Sequence, residues 1–196
     1  MIIAQGAEAI IRREGNKVIK ERVSKGYRVP VLDSKLIKGR TKREVKLLQK
    51  LSDLIPVPEV LEFDTNKIVM KFIAGDKLAD HLDNYSKDKR LKICNLIGKQ
   101  VAKMHAADII HGDLTTSNMI LKEGEIFFID FGLGFVNEHV EHKAVDLHLI
   151  RQALESKHYR HYEECFDALI KGYKTSKDSK LVFERLEKVE KRGRYK

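Results

Sequence analysis

The sequence predicts an α+β fold in two lobes, with a small strand-rich lobe first and a helical lobe after it. Residues 1–73 consist of short apolar segments separated by turn residues, with one amphipathic segment of helical period among them. Residues 74–196 contain longer segments whose apolar side chains recur at helical spacing. We therefore expect one domain whose lobes are residues 1–73 and 74–196, the second ending in a basic tail from about residue 176.

The stretch from residue 109 to 134 carries three polar residues in a recognisable frame. Asp113 follows His-Gly, Asp130 begins Asp-Phe-Gly, and Asn118 lies between them. Apolar runs on both sides of the turn at residues 122–125 predict a β-hairpin that holds the two loops side by side. Phosphoryl transfer uses an Asp to orient or deprotonate the attacking hydroxyl, and an Asn and a second Asp to bind Mg²⁺ on the phosphates. The frame therefore predicts a kinase-type site for ATP and Mg²⁺, with Asp113 catalytic and Asn118 and Asp130 as metal ligands.

Residues 2–23 are expected to form strands, broken by turns near glycines. The turn at residues 5–9 occupies the place of the glycine-rich loop that covers the ATP phosphates in kinases. We therefore predict ATP contacts at Gly6, Ala7 and Glu8. The loop has a single glycine, and a carboxylate at Glu8 would repel the phosphates, so this segment by itself also fits an ordinary hairpin turn.

The strand at residues 17–23 supplies the phosphate-binding lysine that a kinase site requires. Lys20 ends the sequence Val-Ile-Lys, the form of the lysine strand in kinases, and is the candidate for contact with the α- and β-phosphates. Lys17 is the alternative on the same strand. A solvated strand lysine would be the simpler interpretation if no acidic partner followed in the chain.

An acidic partner follows in a helix predicted from about residue 34 to 52, with a cap at residues 33–34. Glu44 lies two turns inside this helix, where kinases place the glutamate that forms an ion pair with the strand lysine. Arg40 and Arg43 in the same helix are expected to face solvent or a partner.

A second pair of strands is predicted at residues 60–63 and 67–73, and a long helix at residues 87–108. The end of the strand pair is the expected hinge, where backbone groups hydrogen-bond adenine. The ATP contacts predicted there are Met70, Phe72 and Ile73.

The chain after Asp130 lacks the activation segment of a regulated protein kinase. Residues 143–147 already begin a predicted helix, and the sequence Ala-Pro-Glu, which ends such a segment, does not occur. Asp146 in this helix is expected to brace the backbone of the catalytic loop. Thr115 stands where protein serine kinases carry a lysine, so one charge that neutralises the γ-phosphate is missing. The prediction is a reduced two-lobed protein-kinase-like fold without an activation segment.

Charge is unevenly distributed along the chain, whose net charge is +9. Residues 12–50 hold fourteen Lys and Arg against four Asp and Glu, and residues 171–196 hold ten against four. The rest of the chain carries a local charge of −7. Blocks of one sign favour a polyanionic partner, with nucleic acid first and an acidic protein surface second. Dispersed cations that only aid solubility are the alternative.

Composition argues against several other classes of protein. No apolar run approaches the roughly 20 residues needed to span a membrane, and the first residues lack the pattern of a signal peptide. Cys94 and Cys165 form no CxxC pair, which favours a reducing, cytoplasmic environment over secretion. Two histidine pairs at i, i+3 spacing, among them His158 and His161, lack the partners of a metal site and are interpreted as solvated helix residues.

The carboxyl terminus is a further candidate for contact with nucleic acid or a protein partner. An amphipathic helix is predicted over residues 179–190, and the chain then ends in Arg192, Arg194, Tyr195 and Lys196. Cations beside an aromatic side chain allow phosphate contact and base stacking, as in RNA-binding tails. A solvated tail is the alternative.

Together, these motifs resemble those of the small atypical kinase family of the KEOPS (EKC) complex, which is found in archaea and eukaryotes. The similarity covers essentially the whole chain and includes the missing activation segment and the short terminus rich in Arg, Lys and Tyr. The segments that carry it are Lys25–Pro30, Leu32–Asp33, Arg40–Thr41 with Glu44, and His111–Asn118.

The resemblance implies a reduced kinase fold that binds ATP and Mg²⁺, phosphorylates itself weakly on Ser or Thr, and acts mainly as an ATPase supporting threonylcarbamoyladenosine modification of tRNA. It implies that Lys20 holds the phosphates and that Glu44 orients this lysine. Asp113 would be the base or water-orienting residue, while Asn118 and Asp130 would bind the metal. The implied partners are the threonylcarbamoyl-transferase catalytic subunit near the active site and large lobe, a small subunit on the amino-terminal lobe, and tRNA on the basic regions.

Three other functions are compatible with parts of the sequence. His-Gly-Asp also resembles the aminoglycoside and choline kinases, although the large lobe is short for a small-molecule pocket. A non-catalytic nucleotide-sensing scaffold fits the thin glycine loop, but the intact set of candidate site residues argues against it. A free-standing protein kinase with an external substrate is disfavoured by the short segment after Asp130.

Overall fold

The computed structural model describes residues 1–6 and 8–193, the last of these through its backbone alone. The predicted contacts at Ala7, Arg194, Tyr195 and Lys196 lie outside the described residues. No helix within the described ranges is long and apolar enough to cross a membrane.

The amino-terminal lobe is a five-stranded antiparallel sheet with one helix packed against it, which confirms the expected strand-rich lobe. Ile68 and Val69 lie at the buried centre of the sheet. Its strands are β1 (Ile2–Gln5), β2 (Ala9–Glu14), β3 (Lys17–Arg22), β4 (Val60–Phe63) and β5 (Lys67–Lys71), in the order β1-β2-β3-β5-β4. Helix α1 (Pro30–Leu51) contacts β4 and β5 and buries Leu48 and Leu51.

Helix α1 begins at Pro30, so the predicted cap at residues 33–34 is wrong. The proline ring sets the helical φ angle at this position, and its missing N–H group would have had no partner within the helix. No side chain caps this end of α1. The Asp33 carboxylate is used elsewhere. It is buried and accepts hydrogen bonds from Ser24 Oγ at 2.7 Å, the Lys25 N–H at 3.1 Å and Arg28 Nη1 at 3.1 Å.

The carboxyl-terminal lobe is helical with two small sheets. Helices α2 to α6 are Leu78–His81, Lys87–Ala106, Val140–Lys157, Tyr162–Tyr173 and Ser179–Gly193. Strands β6 (Asp76–Lys77), β8 (Met119–Lys122) and β9 (Glu125–Phe128) form one sheet, and β7 (Ile109–Ile110) pairs with β10 (Phe135–Val136). The lobe's core is formed largely by apolar side chains of α3, α4 and α5, among them Ile97, Leu147, Ile150 and Leu169.

The hairpin of β8 and β9 confirms the element predicted between the two loops of the site. Met119 pairs with Phe128, and both side chains are buried. Asn118 directly precedes β8, and the Ile129 N–H donates to the Asn118 carbonyl at 3.0 Å. Antiparallel pairing therefore brings Asn118 and Asp130 to the same end of the hairpin.

One histidine differs from the sequence prediction. His158, interpreted as a solvated helix residue, is buried at the end of α4. Its Nδ1 lies 3.0 Å from Asp83 Oδ1 and its Nε2 lies 3.1 Å from Thr116 Oγ1. The prediction failed because the partners lie 75 and 42 residues away along the chain, and the i, i+3 spacing of His158 and His161 carries no information about them.

Candidate active site

A cleft of about 650 Å³ lies between the sheet of the amino-terminal lobe and the β8–β9 hairpin. The apolar part of its wall includes Ile11, Val18 and Ile120. Ten of the residues predicted from the sequence line this single cleft, namely Gly6, Glu8, Lys20, Glu44, Met70, Phe72, Ile73, Asp113, Asn118 and Asp130. Residues from both lobes therefore meet where the sequence predicted nucleotide chemistry.

Lys20 is the centre of a chain of ion pairs that joins the two lobes. Its ammonium nitrogen lies 2.7 Å from Glu44 Oε1 and 2.7 Å from Asp130 Oδ1. Only 8% of the Lys20 side chain and 1% of the Glu44 side chain are exposed. Lys17, the alternative lysine, is exposed at the start of β3, and strand alternation directs Lys20 inward instead.

Arg22 is a second cation on Glu44 that the sequence analysis did not select. It lies two residues after Lys20, so the pleat places both side chains on the same face of β3. Arg22 Nη2 donates to Glu44 Oε2, while Nη1 lies 3.4 Å from Thr41 Oγ1. The spacing of two along the strand is the signal that could have identified it. Each oxygen of the Glu44 carboxylate thus holds a different cation.

Asp130 has a backbone conformation that directs its carboxylate into the cleft. Its φ is 63°, in the left-handed region that Asp tolerates better than most residues, and its Oδ1 also accepts the Gly132 N–H at 3.2 Å. Burial raises the pKa of Asp130, but the Lys20 ammonium and the Gly132 N–H outweigh it, so the pKa lies below its ordinary value. The carboxylate is therefore ionised at neutral pH, as a metal ligand must be.

Asp113 and Asn118 face each other within the loop at residues 111–118, the predicted catalytic loop. Asn118 Nδ2 donates to the Asp113 carboxylate and to the Asp113 carbonyl, both at 2.9 Å. These bonds use the amide nitrogen of Asn118, so its side-chain oxygen remains available to a cation.

The residues present fit Mg²⁺ held jointly by protein and nucleotide. Asn118 and Asp130 offer an amide oxygen and a carboxylate, the oxygen ligands that Mg²⁺ prefers. No group of three or more His, Cys, Asp or Glu side chains suited to a metal occurs among residues 1–6 and 8–193. Mg²⁺ typically takes one or two protein ligands and completes its shell with substrate phosphates and water, so a sparse donor set is what it requires.

Asp146 holds the backbone of the catalytic loop, as the sequence predicted. Its carboxylate is fully buried and accepts the N–H groups of His111 at 2.7 Å and Gly112 at 2.9 Å. His105 Nε2 approaches the same carboxylate at 3.2 Å, and His105 Nδ1 lies 2.8 Å from the Tyr173 hydroxyl. The loop position is thus tied to helices α3, α4 and α5.

Gly112 is required by close packing inside that loop. Its φ is 78°, and a Cβ atom there would lie 2.6 Å from the Leu133 carbonyl oxygen.

The neighbouring His111 ring is buried, and burial lowers its pKa, so the imidazole is neutral at pH 7. Its Nε2 lies 3.2 Å from the Ile129 carbonyl, and its Nδ1 accepts the Asp113 N–H at 3.3 Å. The neutral ring therefore fixes Asp113 relative to the strand that leads to Asp130.

The predicted hinge residues Met70, Phe72 and Ile73 lie on the cleft wall. The Phe72 N–H donates to the Asn16 carbonyl at 2.9 Å, so this donor is already used within the amino-terminal lobe. The Arg13 guanidinium lies 3.8 Å above the centre of the Phe72 ring. Phe72 is therefore fixed from the side of the sheet, and its backbone N–H is already bonded.

The predicted terminal contact at Arg192 lies away from the cleft, at the end of α6. Helix α6 packs on α4 through its apolar side, with Val182 and Leu186 buried. Arg192 Nη1 pairs with Glu141 Oε1 at 2.9 Å. Most of the region assigned to the basic tail is thus helix.

Comparison with solved structures identifies the class of fold. The chain aligns with a structure of the Rio2 kinase–ADP/Mg²⁺–phosphoaspartate complex from Chaetomium thermophilum with a TM-score of 0.66 at 15% identity, covering 98% of this chain and 70% of that one. It aligns with APH(2″)-IIa in a ternary complex with streptomycin and ATP with a TM-score of 0.66 at 12% identity, covering 95% of this chain and 80% of that one. The chain therefore has a two-lobed protein-kinase-like fold.

Sequence comparison identifies the family. Residues 13–147 match the family model of the RIO domain. The chain is 42% identical to KEOPS complex subunit Bud32 of Pyrococcus abyssi, over 100% of this chain and 96% of that relative. It is 38% identical to a serine/threonine-protein kinase BUD32 homolog of Archaeoglobus fulgidus, over 100% of this chain and 96% of that relative. The chain belongs to the Bud32 family of RIO-domain proteins.

A third relative is longer than this chain. The tRNA threonylcarbamoyladenosine biosynthesis protein of Methanothermobacter thermautotrophicus, described as bifunctional, is 38% identical over 99% of this chain. The matched region is 36% of that relative's length. The Bud32-like sequence therefore also occurs as one part of a larger polypeptide.

Proposed function

We propose that this chain is the kinase-like subunit of a KEOPS complex, and that it acts as a Mg²⁺-dependent ATPase and atypical Ser/Thr protein kinase in support of threonylcarbamoyladenosine modification of tRNA. The observation that carries the proposal is the unbroken ion-pair chain Glu44–Lys20–Asp130, which faces Asp113 and Asn118 across one cleft. This set supplies groups for the positioning and charge stabilisation on which phosphoryl transfer depends, which supports the proposal.

Each side chain of the set has a role in the proposed reaction. Lys20 binds the α- and β-phosphates, and Glu44 keeps this lysine extended into the cleft. Asp113 accepts a hydrogen bond from the attacking water or hydroxyl and takes its proton. Asn118 and Asp130 hold Mg²⁺, which neutralises developing phosphate charge when it is bound.

The short connection after Asp130 favours water over a bound peptide as the acceptor. Strand β10 begins at Phe135 and helix α4 begins at Val140, so nine residues lie between Asp130 and the helix. Protein kinases use a longer segment here to dock peptide substrates. ATP hydrolysis is therefore proposed as the main output, with autophosphorylation as a minor one.

The proposed partners are the threonylcarbamoyl-transferase catalytic subunit near the active site and large lobe, a small subunit on the amino-terminal lobe, and tRNA. The names of the relatives support membership of such a complex. The longer relative is described as bifunctional and joins a Bud32-like region to further sequence in one polypeptide, which supports the proposal that this chain acts beside a second enzyme. Five exposed apolar side chains near the start of α1 support a protein interface on the amino-terminal lobe. They are Tyr27, Val29, Val31, Leu32 and Leu36.

The proposal is tested by Mg²⁺-dependent ATP hydrolysis of the purified chain, alone and with the transferase subunit and tRNA. Turnover is expected to rise with both additions. Asp130→Ala should lower it by about 100-fold or more, because the metal ligand is lost. Asp53→Ala, an exposed carboxylate outside the cleft, is the matched control and should retain wild-type turnover.

Tight ATP binding without turnover under any condition would contradict the proposed enzymatic activity and favour a nucleotide-sensing scaffold. Phosphate transfer to an aminoglycoside or to choline, assayed in the same preparation, would instead support a small-molecule phosphotransferase.

Deleting residues 192–196 is expected to weaken tRNA binding and to reduce its dependence on salt. The deletion removes three cations, so the slope of log K against log salt should fall by up to about three. Binding titrations at several salt concentrations measure both effects. Replacing Lys92, Lys99 and Lys103 by Ala removes the same charge from exposed positions outside both basic blocks and serves as the control. Unchanged affinity in the deletion variant would remove the proposed role of the tail.

A further inference from the structure

The carboxylate of Glu8 lies in the cleft, and two arginines hold it there. Arg40 Nη1 donates to Glu8 Oε2, and Arg28 Nη2 lies 3.5 Å from Glu8 Oε1. The backbone at Glu8 is also held, because the Val23 N–H donates to the Glu8 carbonyl at 3.3 Å. Arg40 is the main cause that lowers the pKa of Glu8, so the side chain is an anion at neutral pH. The repulsive carboxylate noted in the sequence is thus neutralised by two guanidinium groups.

Arg40 and Glu44 lie one helical turn apart on α1, and both line the cleft. Arg43, which was grouped with Arg40 in the sequence analysis, is exposed and does not line it. The two arginines on Glu8 differ in their other partners. Arg28 also pairs with the buried Asp33 at 3.1 Å, whereas the ion pair of Arg40 is with Glu8. If Glu8 were released, Arg28 would therefore keep its ion pair with Asp33, whereas Arg40 would become available to another anion in the cleft.

A terminal phosphate in the cleft would need a further cation, because Lys20 and Arg22 are already paired with carboxylates. Thr115 stands in place of the lysine that neutralises the γ-phosphate in protein serine kinases. Lys20 is shared between two carboxylates, and Arg22 is bound to Glu44. A terminal phosphate brings about two negative charges, and guanidinium groups bind phosphate oxygens through paired N–H donors.

We propose that Arg40 binds the terminal phosphate of ATP, and that the Glu8 carboxylate occupies this arginine as an internal competitor until the phosphate displaces it. The proposal rests on ATP being the ligand of the cleft, as proposed above, and adds the residue that distinguishes ATP from shorter nucleotides. A carboxylate held by guanidinium groups presents the same charge and acceptor oxygens as a phosphate, so one can replace the other.

Once the Glu8 carboxylate is displaced, the nucleotide has its own contact with α1. Arg40 and Glu44 are on the same helix, so a terminal phosphate on Arg40 links helix α1 to Lys20 through the nucleotide. ADP and AMP lack the γ-phosphate, so they leave the ion pair of Arg40 and Glu8 in place.

The test compares the affinities of the full-length chain for ATP, ADP and AMP by calorimetry at fixed Mg²⁺. Arg40→Ala is expected to lower the affinity for ATP by roughly 10-fold, the loss of one charge-assisted contact, with AMP nearly unchanged. Glu8→Gln keeps the shape of the side chain and removes its charge, so the affinity for ATP should rise severalfold while that for AMP stays the same. Arg43→Ala on the same helix and Glu62→Gln on exposed β4 are the matched controls.

A double variant separates competition from independent effects. If Glu8 acts by occupying Arg40, Glu8→Gln should raise the affinity for ATP only when Arg40 is present, and the gain should vanish in Glu8→Gln with Arg40→Ala. Both side chains are partly exposed, and a thermal melt of each variant checks that it is folded. Equal losses of ATP and AMP in Arg40→Ala, or an unchanged ATP affinity in Glu8→Gln, would overturn the inference. Failure of the wild-type chain to bind ATP at all would instead overturn the proposed function.

Discussion

Asp113→Asn is expected to slow ATP hydrolysis by about 10²–10⁴-fold while leaving ATP affinity nearly unchanged. The substituted amide keeps the size of the side chain and can still contact Asn118, but it cannot take a proton from the attacking water. Lys20, Glu44 and Asp130, which form the ion-pair chain, are not altered by the change. Single-turnover hydrolysis and equilibrium binding of ATP, measured on the same preparation, separate the two effects.

Asp53→Asn is the control for loss of a carboxylate, because Asp53 is exposed in the turn after α1 and lies outside the cleft. It should hydrolyse ATP as the wild type does. A variant at Asp113 that hydrolyses ATP at the wild-type rate would show that another group activates the nucleophile. Loss of ATP affinity equal to the loss of rate would show that Asp113 acts mainly through the architecture of the loop.

The parts of the site that could be predicted from the sequence depend on local spacing. Asp113, Asn118 and Asp130 stand on two loops joined by one hairpin, so their separation along the chain already determines that they meet. The prediction that Lys20 pairs with Glu44 also depended on the known order of kinase motifs. The two residues are 24 positions apart, and spacing alone does not join a strand to a helix.

Contacts between distant segments could not be derived in this way. Arg40 and Glu8 are 32 residues apart, and nothing local distinguishes Arg40 from Arg43 until α1 is packed on the sheet. The start of α1 was missed for a related reason. Asp33 has the side chain of a capping residue, but tertiary contacts with Ser24 and Arg28 use its carboxylate.

The packing of α3 against α5 is the feature of the fold least visible in the sequence. A Cβ atom on Gly98 would lie 1.9 Å from the Leu169 carbonyl oxygen, and one on Gly172 would lie 2.0 Å from the Asn95 carbonyl oxygen. The two glycines thus let the helix backbones approach each other directly. Gly is unfavourable within a helix by roughly 0.5–1 kcal/mol relative to Ala, so its presence here is offset by this close contact.

Gly98→Ala and Gly172→Ala are each expected to lower the free energy of unfolding by about 3 kcal/mol, because the added methyl group meets backbone atoms that cannot rotate away. For a chain of this size, that corresponds to a fall in melting temperature of roughly 6–12 °C. Thermal and urea unfolding measure the change. Gly39→Ala is the control within α1, where nothing lies within 4 Å of the added Cβ atom, and it should stabilise the chain by about 0.4–1 kcal/mol.

The same substitutions are also expected to affect the active site, through the contacts of Tyr173. This residue is fully buried on α5 next to Gly172, and its hydroxyl lies 2.8 Å from His105 Nδ1, whose other nitrogen approaches Asp146. Moving α5 away from α3 therefore loosens the carboxylate that holds the catalytic loop. Well below its melting temperature, Gly172→Ala is expected to show reduced ATP hydrolysis with ATP affinity retained. Full activity in a variant that is destabilised as expected would show that helix packing and loop position are independent.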